Sequence, residues 1–340
     1  MQIEKEKLID VLTAIRPGLS KKDIIEQATH FIFTGKEILT YNDRICIIHP
    51  FKTDFTCSVP SEELYKILSS INEAEIDLSF KDNNIIIKGK KFEASLATDT
   101  GDQILERVDL LSFAKADKKK QKLPDDFVEA LTLCMFSASK DATRPAMTGV
   151  LVDGKYVAST DGFRISEYKM KSEVDSSEVI LPAISVAELV KFDPKYIYID
   201  KSWAYFINKD DAIFCCMTIA DEYPDYVKFL KGFDTKEIVL PENTKQIIET
   251  VSVLATGNFD LEKEIDIKIE PNKFSCRGQN AKGWIVSNCK IDYDGEPVEF
   301  TINPFFLSKI LDHTSSMFLG EGKLLFKDKS FKHIISLVSR

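Results

Sequence analysis

Apolar positions at helical spacing recur along the chain with a period of about 120 residues. The three sets are Leu8, Val11 and Ile15, then Val128, Leu131 and Met135, then Ile248, Val251 and Ala255. Apolar residues three and four positions apart lie on one face of a helix. The pattern therefore predicts one amphipathic helix near the start of each of three repeats, the first over 4–15 and ended by Pro17 and Gly18.

A second apolar pattern follows the first within each repeat. The segments VPSEELYKIL from Val59, LPAISVAELV from Leu181 and INPFFLSKIL from Ile302 place apolar residues in matching register. They predict short helices over 61–71, 185–192 and 304–312. The repeat is much longer than the ~20 to 50 residues of a solenoid unit, so each repeat is large enough to own a core.

Apolar, β-branched segments predict strands between and after these helices. HFIFTGKEILTY and GVLVDGKYVAST are interrupted by Thr34-Gly35 and Asp153-Gly154, and Pro271-Asn272 interrupts the third repeat, as expected at hairpin turns. Alternating segments with charged turns follow each second helix. Short helices laid on antiparallel sheets predict an α+β chain of three repeated two-layer domains, each made of two similar halves.

The predicted domain boundaries lie in two polar segments rich in charge. Phe113–Lys122 and Leu230–Glu237 have the composition of linkers, which gives domains over 1–116, 117–233 and 234–340. The run Asp117–Lys122 also has the composition of a nucleic-acid patch, but a solvated linker is the preferred interpretation of so short a run.

Composition restricts the function classes more than it identifies one. The 340 residues carry a net charge of −9, which disfavours an ordinary nucleic-acid binder but allows one that surrounds DNA with a basic inner wall. The seven cysteines form no C-x-x-C pair, so mostly buried thiols are expected, without a metal or other cofactor. The charged start MQIEKEKLID and the lack of a long apolar run predict a cytoplasmic protein without membrane contact.

Catalytic motifs are missing from the sequence. The four histidines lie on different predicted elements, and no G-x-S-x-G, P-loop, G-x-G-x-x-G or H-E-x-x-H is present. The adjacent acids Asp210 and Asp211 fall in a predicted hairpin turn, where solvation explains them. The chain is therefore predicted not to be an enzyme.

The middle repeat resembles a known family. FSASKDATRPAMTGVLVD, YVASTDGFRISEYKM and EYPDYVKFL, in this order and spacing, are similar to the second domain of the bacterial DNA polymerase III β sliding clamp family. VPSEELYKILSSI and FEASLAT in the first repeat are similar to that family's first domain. The chain is somewhat short for the family, which favours a divergent phage or prophage member.

The resemblance implies the DNA clamp fold, closed as a head-to-tail homodimer around double-stranded DNA, with helices lining the hole and sheets outside. Such a ring would tether a replicative polymerase through topology and weak, sequence-independent contacts to phosphate, and would act at the nucleoid. The alternative is a protein that keeps the fold and captures clamp-binding peptides without encircling DNA. The third repeat disfavours a trimeric ring of two-domain chains.

The resemblance also implies a hydrophobic groove that binds short linear peptides of the DNA polymerase and the clamp loader. The matching positions here are Arg144, Met147, Thr160, Gly162, Phe163, Arg164, Ile165, Pro224, Lys228, Phe229, Ile334, Ile335, Leu337 and Val338. The competing interpretation makes the apolar members ordinary core and Arg164 a surface charge. Ser336 departs from the family, which usually has a large apolar residue there.

Two further sets of residues are predicted less directly. Lysines on helices and loops that could face DNA are Lys21, Lys22, Lys66, Lys140, Lys191, Lys245 and Lys309. Each alone is better explained as a solvated surface lysine, and their recurrence on helices is the stronger argument for contact with DNA. The dimer contact is expected to join the first domain near Leu96 to the third domain near Phe259 and Leu261. This last prediction follows from chain order within the implied ring.

Overall fold

A computed structural model describes residues 1–22, 25–175, 178–200 and 202–338. The helices within these ranges are α1 Lys5–Ile15, α2 Ser61–Ser70, α3 Asp102–Asp109, α4 Phe113–Lys119, α5 Phe127–Met135, α6 Ala183–Phe192, α7 Thr244–Val251 and α8 Pro304–Ile310. The remaining described residues form strands of two to eight residues, short 3-10 helices, turns and loops.

The strands of the first half are β1 Gln2–Glu4, β2 His30–Phe33, β3 Glu37–Tyr41, β4 Ile45–Pro50, β5 Cys57–Pro60, β6 Glu75–Lys81, β7 Asn84–Lys88, β8 Glu93–Ala97, β9 Gln121–Lys122, β10 Gly149–Asp153, β11 Tyr156–Thr160 and β12 Arg164–Lys169. The strands of the second half are β13 Val179–Pro182, β14 Tyr196–Asp200, β15 Trp203–Ile207, β16 Ile213–Met217, β17 Phe233–Val239, β18 Ile265–Glu270, β19 Lys273–Asn280, β20 Gly283–Cys289, β21 Val298–Ile302, β22 Ser316–Gly320, β23 Lys323–Asp328 and β24 Phe331–Ser336.

The predicted helices of both series are confirmed, with small shifts at their ends. Helix α1 buries Leu8, Leu12 and Ile15 completely and passes at Arg16 into one 3-10 turn that contains Pro17. Helix α6 begins two residues before the predicted 185–192, and α8 begins after Asn303, whose side chain accepts hydrogen bonds from two backbone N–H groups. That cap satisfies N–H groups that have no partner within the helix.

The predicted hairpins are also confirmed. Gly35 joins β2 to β3 with a φ of 84°, Gly154 joins β10 to β11 with a φ of 54°, and Asn272 joins β18 to β19 with a φ of 61°. Glycine and asparagine tolerate this left-handed conformation better than other residues. The turn residues therefore explain why these strands reverse where they do.

The contacts of the chain divide it into two compact units. Unit 1 comprises 1–128 and 174–220, and unit 2 comprises 129–173 and 221–340. Unit 1 contains the sheet β1-β6-β7-β8 and the strand series β5-β2-β3-β4-β16-β15-β14-β9. Unit 2 contains the sheet β20-β19-β18-β21 and the series β10-β11-β12-β24-β23-β22-β17. The division into three domains, with its two boundaries, remains a prediction.

Both segments that were predicted as linkers form regular structure, which their composition did not indicate. Residues 113–119 are helix α4, because Phe113 and Ala116 lie on one face; Ala116 is fully buried, and the Phe113 ring meets Tyr205 edge-on at 5.7 Å. Residues 233–239 are strand β17, which pairs with β22. A small apolar face among charged residues is enough to build an element when a sheet lies beside it.

The cysteines behave as predicted from their type. Six are buried and Cys289 is partly buried, and all seven are free thiols. Burial raises the pKa of Cys57 to about 12, so this thiol stays protonated at neutral pH. They therefore act as small core residues.

Candidate functional site

Most of the residues predicted for the peptide groove lie together around a cavity of about 200 Å³ in unit 2, here called the unit-2 groove. The predicted residues that line it are Met147, Thr160, Gly162, Phe163, Arg164, Ile165, Pro224, Phe229 and Ile334. Sequence reasoning missed four lining residues, namely Asp225, Tyr226, Lys323 and Ser336. Asp225 and Tyr226 lie inside the EYPDYVKFL motif, and Ser336 is the position that departs from the family, so the resemblance could have indicated these three residues. Nothing in the sequence indicates Lys323.

A tight turn before β12 forms one wall of the groove. Asp161 Oδ1 accepts hydrogen bonds at 3.0 Å from the backbone N–H groups of both Phe163 and Arg164, and Gly162 has a φ of 91°. The hydroxyl of Thr160 donates to the Arg164 carbonyl at 2.8 Å. These bonds close the turn from within, and they present Phe163 with 56% of its surface exposed.

The Arg164 guanidinium does not reach solvent, so the interpretation of Arg164 as a surface charge is wrong. The residue is 6% exposed, its Nε donates to Asp161 Oδ2 at 2.9 Å, and its Cζ lies 4.5 Å from the centre of the Phe306 ring. Burial lowers the pKa of Arg164, and the charge of Asp161 opposes that effect. The cation therefore stabilises the turn and the aromatic layer behind it.

The opposite wall is formed by residues 224–229, and a buried carboxylate of β12 ties this segment to the sheet. The hydroxyl of Tyr226 donates to Glu167 at 3.2 Å, and the Lys332 ammonium donates to the same carboxylate at 3.2 Å. Glu167 is 4% exposed, and Tyr226 is 7% exposed. Satisfied buried polar groups of this kind fix one arrangement of a segment.

The remaining predicted groove residues lie outside the cavity lining. Ile335 is fully buried and faces Arg164 across the β12–β24 pair, so it belongs to the core. Leu337 and Val338 donate backbone hydrogen bonds to Gly322 and Thr301. Arg144 and Lys228 are exposed, with the Lys228 ammonium 5.3 Å from the centre of the Phe229 ring. These two cations lie at the edge of the groove and not within it.

A buried histidine packs among aromatic rings on the helix side of the same strands. His333 is fully buried; its Nδ1 lies 2.9 Å from the Ser166 hydroxyl, and its ring centre lies 5.0 Å from that of Phe136. Its Nε2 has no hydrogen-bond partner among the described residues. Burial, followed by the charges of Arg164 and His313, lowers the pKa of His333 well below its ordinary value.

This histidine predicts a pH dependence of stability. The unfolded chain takes up a proton near the ordinary pKa of about 6.5, whereas the folded chain keeps the ring neutral, so the free energy of unfolding falls as the pH drops below that value. The slope is at most about 1.4 kcal/mol per pH unit. We expect urea unfolding between about pH 7.5 and pH 5 to show this slope in the wild type and in His49→Gln, and a smaller slope in His333→Phe. Equal slopes in all three proteins would contradict the assignment.

A second cavity, of about 1140 Å³, lies in unit 1 beside helix α2 and the end of α1. Two of the lysines predicted to face DNA, Lys21 and Lys66, line it together with Arg16 and Arg44, which were not among the predicted residues. Its acidic lining residues are Glu62, Glu63 and Glu188. The Arg16 guanidinium lies 4.5 Å from the centre of the Tyr65 ring.

The other predicted DNA-facing lysines are distributed over both units. Lys22 is exposed in unit 1, and Lys191 on α6 pairs with Glu188 at 3.0 Å. In unit 2, Lys140 and Lys309 are exposed and Lys245 pairs with Asp312. Lys66 pairs with Glu62. Exposed pairs of this kind hold little free energy, so a phosphate could displace the carboxylate.

The residues predicted for a dimer contact lie at exposed places in the fold. Leu96 is half-buried on β8, an outer strand of its sheet. Phe259 precedes the 3-10 helix Asp260–Glu262 and is 70% exposed, and Leu261 lies within that helix and is 61% exposed. The outer strand β20 adds Trp284, which is 62% exposed.

No helix among the described residues is long and apolar enough to cross a membrane.

Comparison with known proteins agrees with the arrangement of the fold. Residues 123–225 match the family model "DNA polymerase III beta subunit, central domain". The chain is 20% identical to a beta sliding clamp of Chlamydia pneumoniae over 94% of this chain and 91% of that one, and 22% identical to one of Caulobacter vibrioides over 74% and 71%. These relatives are bacterial and give no support to a phage origin.

Solved structures match over the full length of the chain. The sliding clamp of Bacillus subtilis superposes with a TM-score of 0.84 at 18% identity, covering 100% of this chain and 98% of that one. The beta subunit of Streptococcus pyogenes polymerase superposes with a TM-score of 0.87 at 18% identity, covering 100% and 99%. The predicted α+β clamp fold is therefore confirmed. Beta sliding clamps are non-catalytic, in agreement with the prediction that this chain is not an enzyme. Residues 123–225 therefore match the central-domain family of the DNA polymerase III beta subunit, and the chain as a whole is similar to beta sliding clamps at 20% identity and shares their fold.

Proposed function

We propose that the chain is a DNA sliding clamp that closes as a homodimer around double-stranded DNA and tethers a replicative polymerase. The observation that carries the proposal is the unit-2 groove, a preformed binding cavity at the positions predicted from the family resemblance, on a chain with the full clamp fold. The protein would perform no chemistry and would act at the nucleoid in the cytoplasm. Its effect on synthesis would be to prevent the polymerase from diffusing away.

The chemistry of the groove fits a short extended peptide from the polymerase or the clamp loader. Phe163 and Phe229 expose about half of their surfaces at its rim, and Ile165 and Ile334 lie side by side at its base as partners across the β12–β24 pair. In an extended peptide every second side chain points the same way, so two apolar residues two positions apart can enter together. The walls are fixed before binding, which lowers the entropy lost by the protein.

Contact with DNA would depend on charge alone. The basic residues of the unit-1 cavity, Arg16, Lys21, Arg44 and Lys66, stand on a chain whose net charge is −9. A negative protein holds DNA poorly from outside, whereas a closed ring needs only weak local attraction to phosphate. Such contacts read no base sequence, and this permits sliding.

A head-to-tail dimer would pair the exposed outer strands of the two four-stranded sheets. Strand β8 carries Leu96, and strand β20 presents Trp284 and Val286, which are 62% and 40% exposed. Phe259 and Leu261 lie in the same unit as β20. Unpaired strand edges with exposed apolar side chains are readily covered by another strand. Two equivalent contacts of this kind would close a ring.

The test needs no loader protein. The chain is mixed with linear duplex DNA biotinylated at both ends, streptavidin is added to block the ends, and the complex is passed through a gel-filtration column at raised salt. We expect a mass of two chains by light scattering and DNA-bound protein that a restriction cut releases. Streptavidin added before the protein should prevent the trapping. A one-chain mass without end-dependent retention would overturn the ring and favour a peptide-capturing protein that does not encircle DNA.

A further inference from the structure

The wall of the unit-2 groove that carries Phe229 is mostly exposed. Val227, Lys228 and Phe229 belong to the 3-10 helix Val227–Leu230, and Val227 and Phe229 are 51% and 48% exposed. We propose that Lys323 is the positioning residue of this wall, and that its ammonium holds residues 229–231 in the place where Phe229 can contact a bound peptide. The inference rests on the proposed peptide-binding function of the groove.

The contacts of Lys323 converge on one end of the wall. Its Nζ donates to the Phe229 carbonyl at 3.0 Å and to the Lys231 carbonyl at 2.5 Å. It also lies 4.5 Å from the centre of the Phe233 ring, on the first residue of β17. The Lys323 side chain therefore contacts three residues in succession, Phe229, Lys231 and Phe233, where the wall segment ends and β17 begins.

These carbonyl groups are the ones that a helix end leaves without partners. The last carbonyls of a helical turn point away from it and carry partial negative charge, and a lysine near that end satisfies them. Here the lysine comes from β23, far away in the sequence, so the bond also fixes the helix end to the sheet. Hydrogen bonds from a charged donor are about twice as strong as neutral ones.

The other end of the wall is held independently. Tyr226 is 7% exposed, and its hydroxyl donates to the buried Glu167. Between Tyr226 and Phe233 the backbone must bend back to the sheet, and Gly232 has a φ of 80° where it does so. Loss of the Lys323 contacts would therefore release residues 227–231 while the Tyr226 end stays in place.

Lys323 also occupies the base of the groove. It faces Ser336 across the β23–β24 pair, and both residues line the cavity. A change at Lys323 consequently acts on the shape of the groove and on the position of Phe229 together. Lys327 lies four residues farther along the same strand, is exposed, and does not line the groove, so it supplies a matched control.

The experiment compares the wild type with Lys323→Met, Lys323→Arg and Lys327→Met in two measurements. Hydrogen exchange reports the opening of residues 227–231, and fluorescence anisotropy reports binding of a labelled peptide with two leucines two residues apart, flanked by serine and glycine. We expect Lys323→Met to speed exchange in this segment and to weaken binding about five- to tenfold. Lys323→Arg should restore part of both effects, and Lys327→Met should change neither.

The two measurements separate the inference from the function on which it rests. Unchanged exchange in Lys323→Met, or faster exchange with full affinity, would overturn the positioning role. If the wild type binds no such peptide, the proposed function loses its support, and the exchange rates still decide whether Lys323 holds the wall. A melting temperature equal to that of Lys327→Met ensures that the comparison concerns folded protein.

Discussion

Trp284→Glu should separate the proposed two-chain ring into single chains. Trp284 stands exposed on the outer strand β20, where it would be covered by the partner's strand, and buried tryptophans at interfaces commonly contribute about 2 kcal/mol or more. A closed dimer contains two such contacts, so the loss occurs twice. We expect the dissociation constant of the dimer to rise by at least about a thousandfold, measured by light scattering over a dilution series.

The same variant should lose its retention on end-blocked DNA. A matched control is Val239→Glu, because Val239 is 54% exposed on β17, the outer strand of the other series in unit 2. That variant introduces the same charge at a sheet edge away from the proposed contact and should keep both the two-chain mass and the trapped DNA. A dimer that survives Trp284→Glu would move the contact away from β20.

Phe229→Ala should lower the affinity of the unit-2 groove for an apolar peptide by about thirtyfold. The ring forms an exposed part of the groove wall, and removing an aromatic anchor from a binding site costs about 2 kcal/mol. Because the ring is half exposed in the free protein, its loss should leave the stability of unit 2 nearly unchanged. The measurement is anisotropy with the leucine-containing peptide, together with the urea midpoint.

Val227→Ala is the control for this effect. Val227 lies two residues away in the same 3-10 helix and is equally exposed, but it does not line the groove. Its alanine variant should bind the peptide like the wild type. If both variants weaken binding equally, the affinity depends on how well the 3-10 helix Val227–Leu230 is ordered, and Phe229 makes no direct contact with the peptide.

Much of the secondary structure follows directly from local pattern. Helix α1 could be predicted from Leu8, Val11 and Ile15 because the spacing of apolar residues fixes which face is buried. Gly35, Gly154 and Asn272 mark the hairpins because few other residues adopt a positive φ without strain. The helix at 113–119 was missed because only two of its residues, Phe113 and Ala116, suggest an apolar face among many charged residues. In the folded protein these two residues pack against a sheet, and this contact is enough to form the helix.

Only some of the residues predicted for the unit-2 groove line it, and there is a physical reason for which ones do. Phe163, Arg164 and Pro224 were found because their motifs resemble those of a known family. Ile335 was assigned to the groove although neighbouring strand residues point to opposite faces, and only the pairing of β12 with β24 shows which face is buried. The burial of Arg164 likewise depends on Phe306, which is distant in the sequence.

The repeats, the helices and hairpins, and the resemblance to a known family follow from the amino-acid sequence, because each depends on residues close together in the chain or on motifs of fixed order. The tertiary structure alone decided that Arg164 is buried, that Glu167 holds Tyr226, and that Lys323 reaches the carbonyl groups of residues 229 and 231. Those contacts join residues about 60 to 140 positions apart. They exist because the fold brings strands β12 and β23 against helix α8 and the segment before β17, which no local pattern encodes.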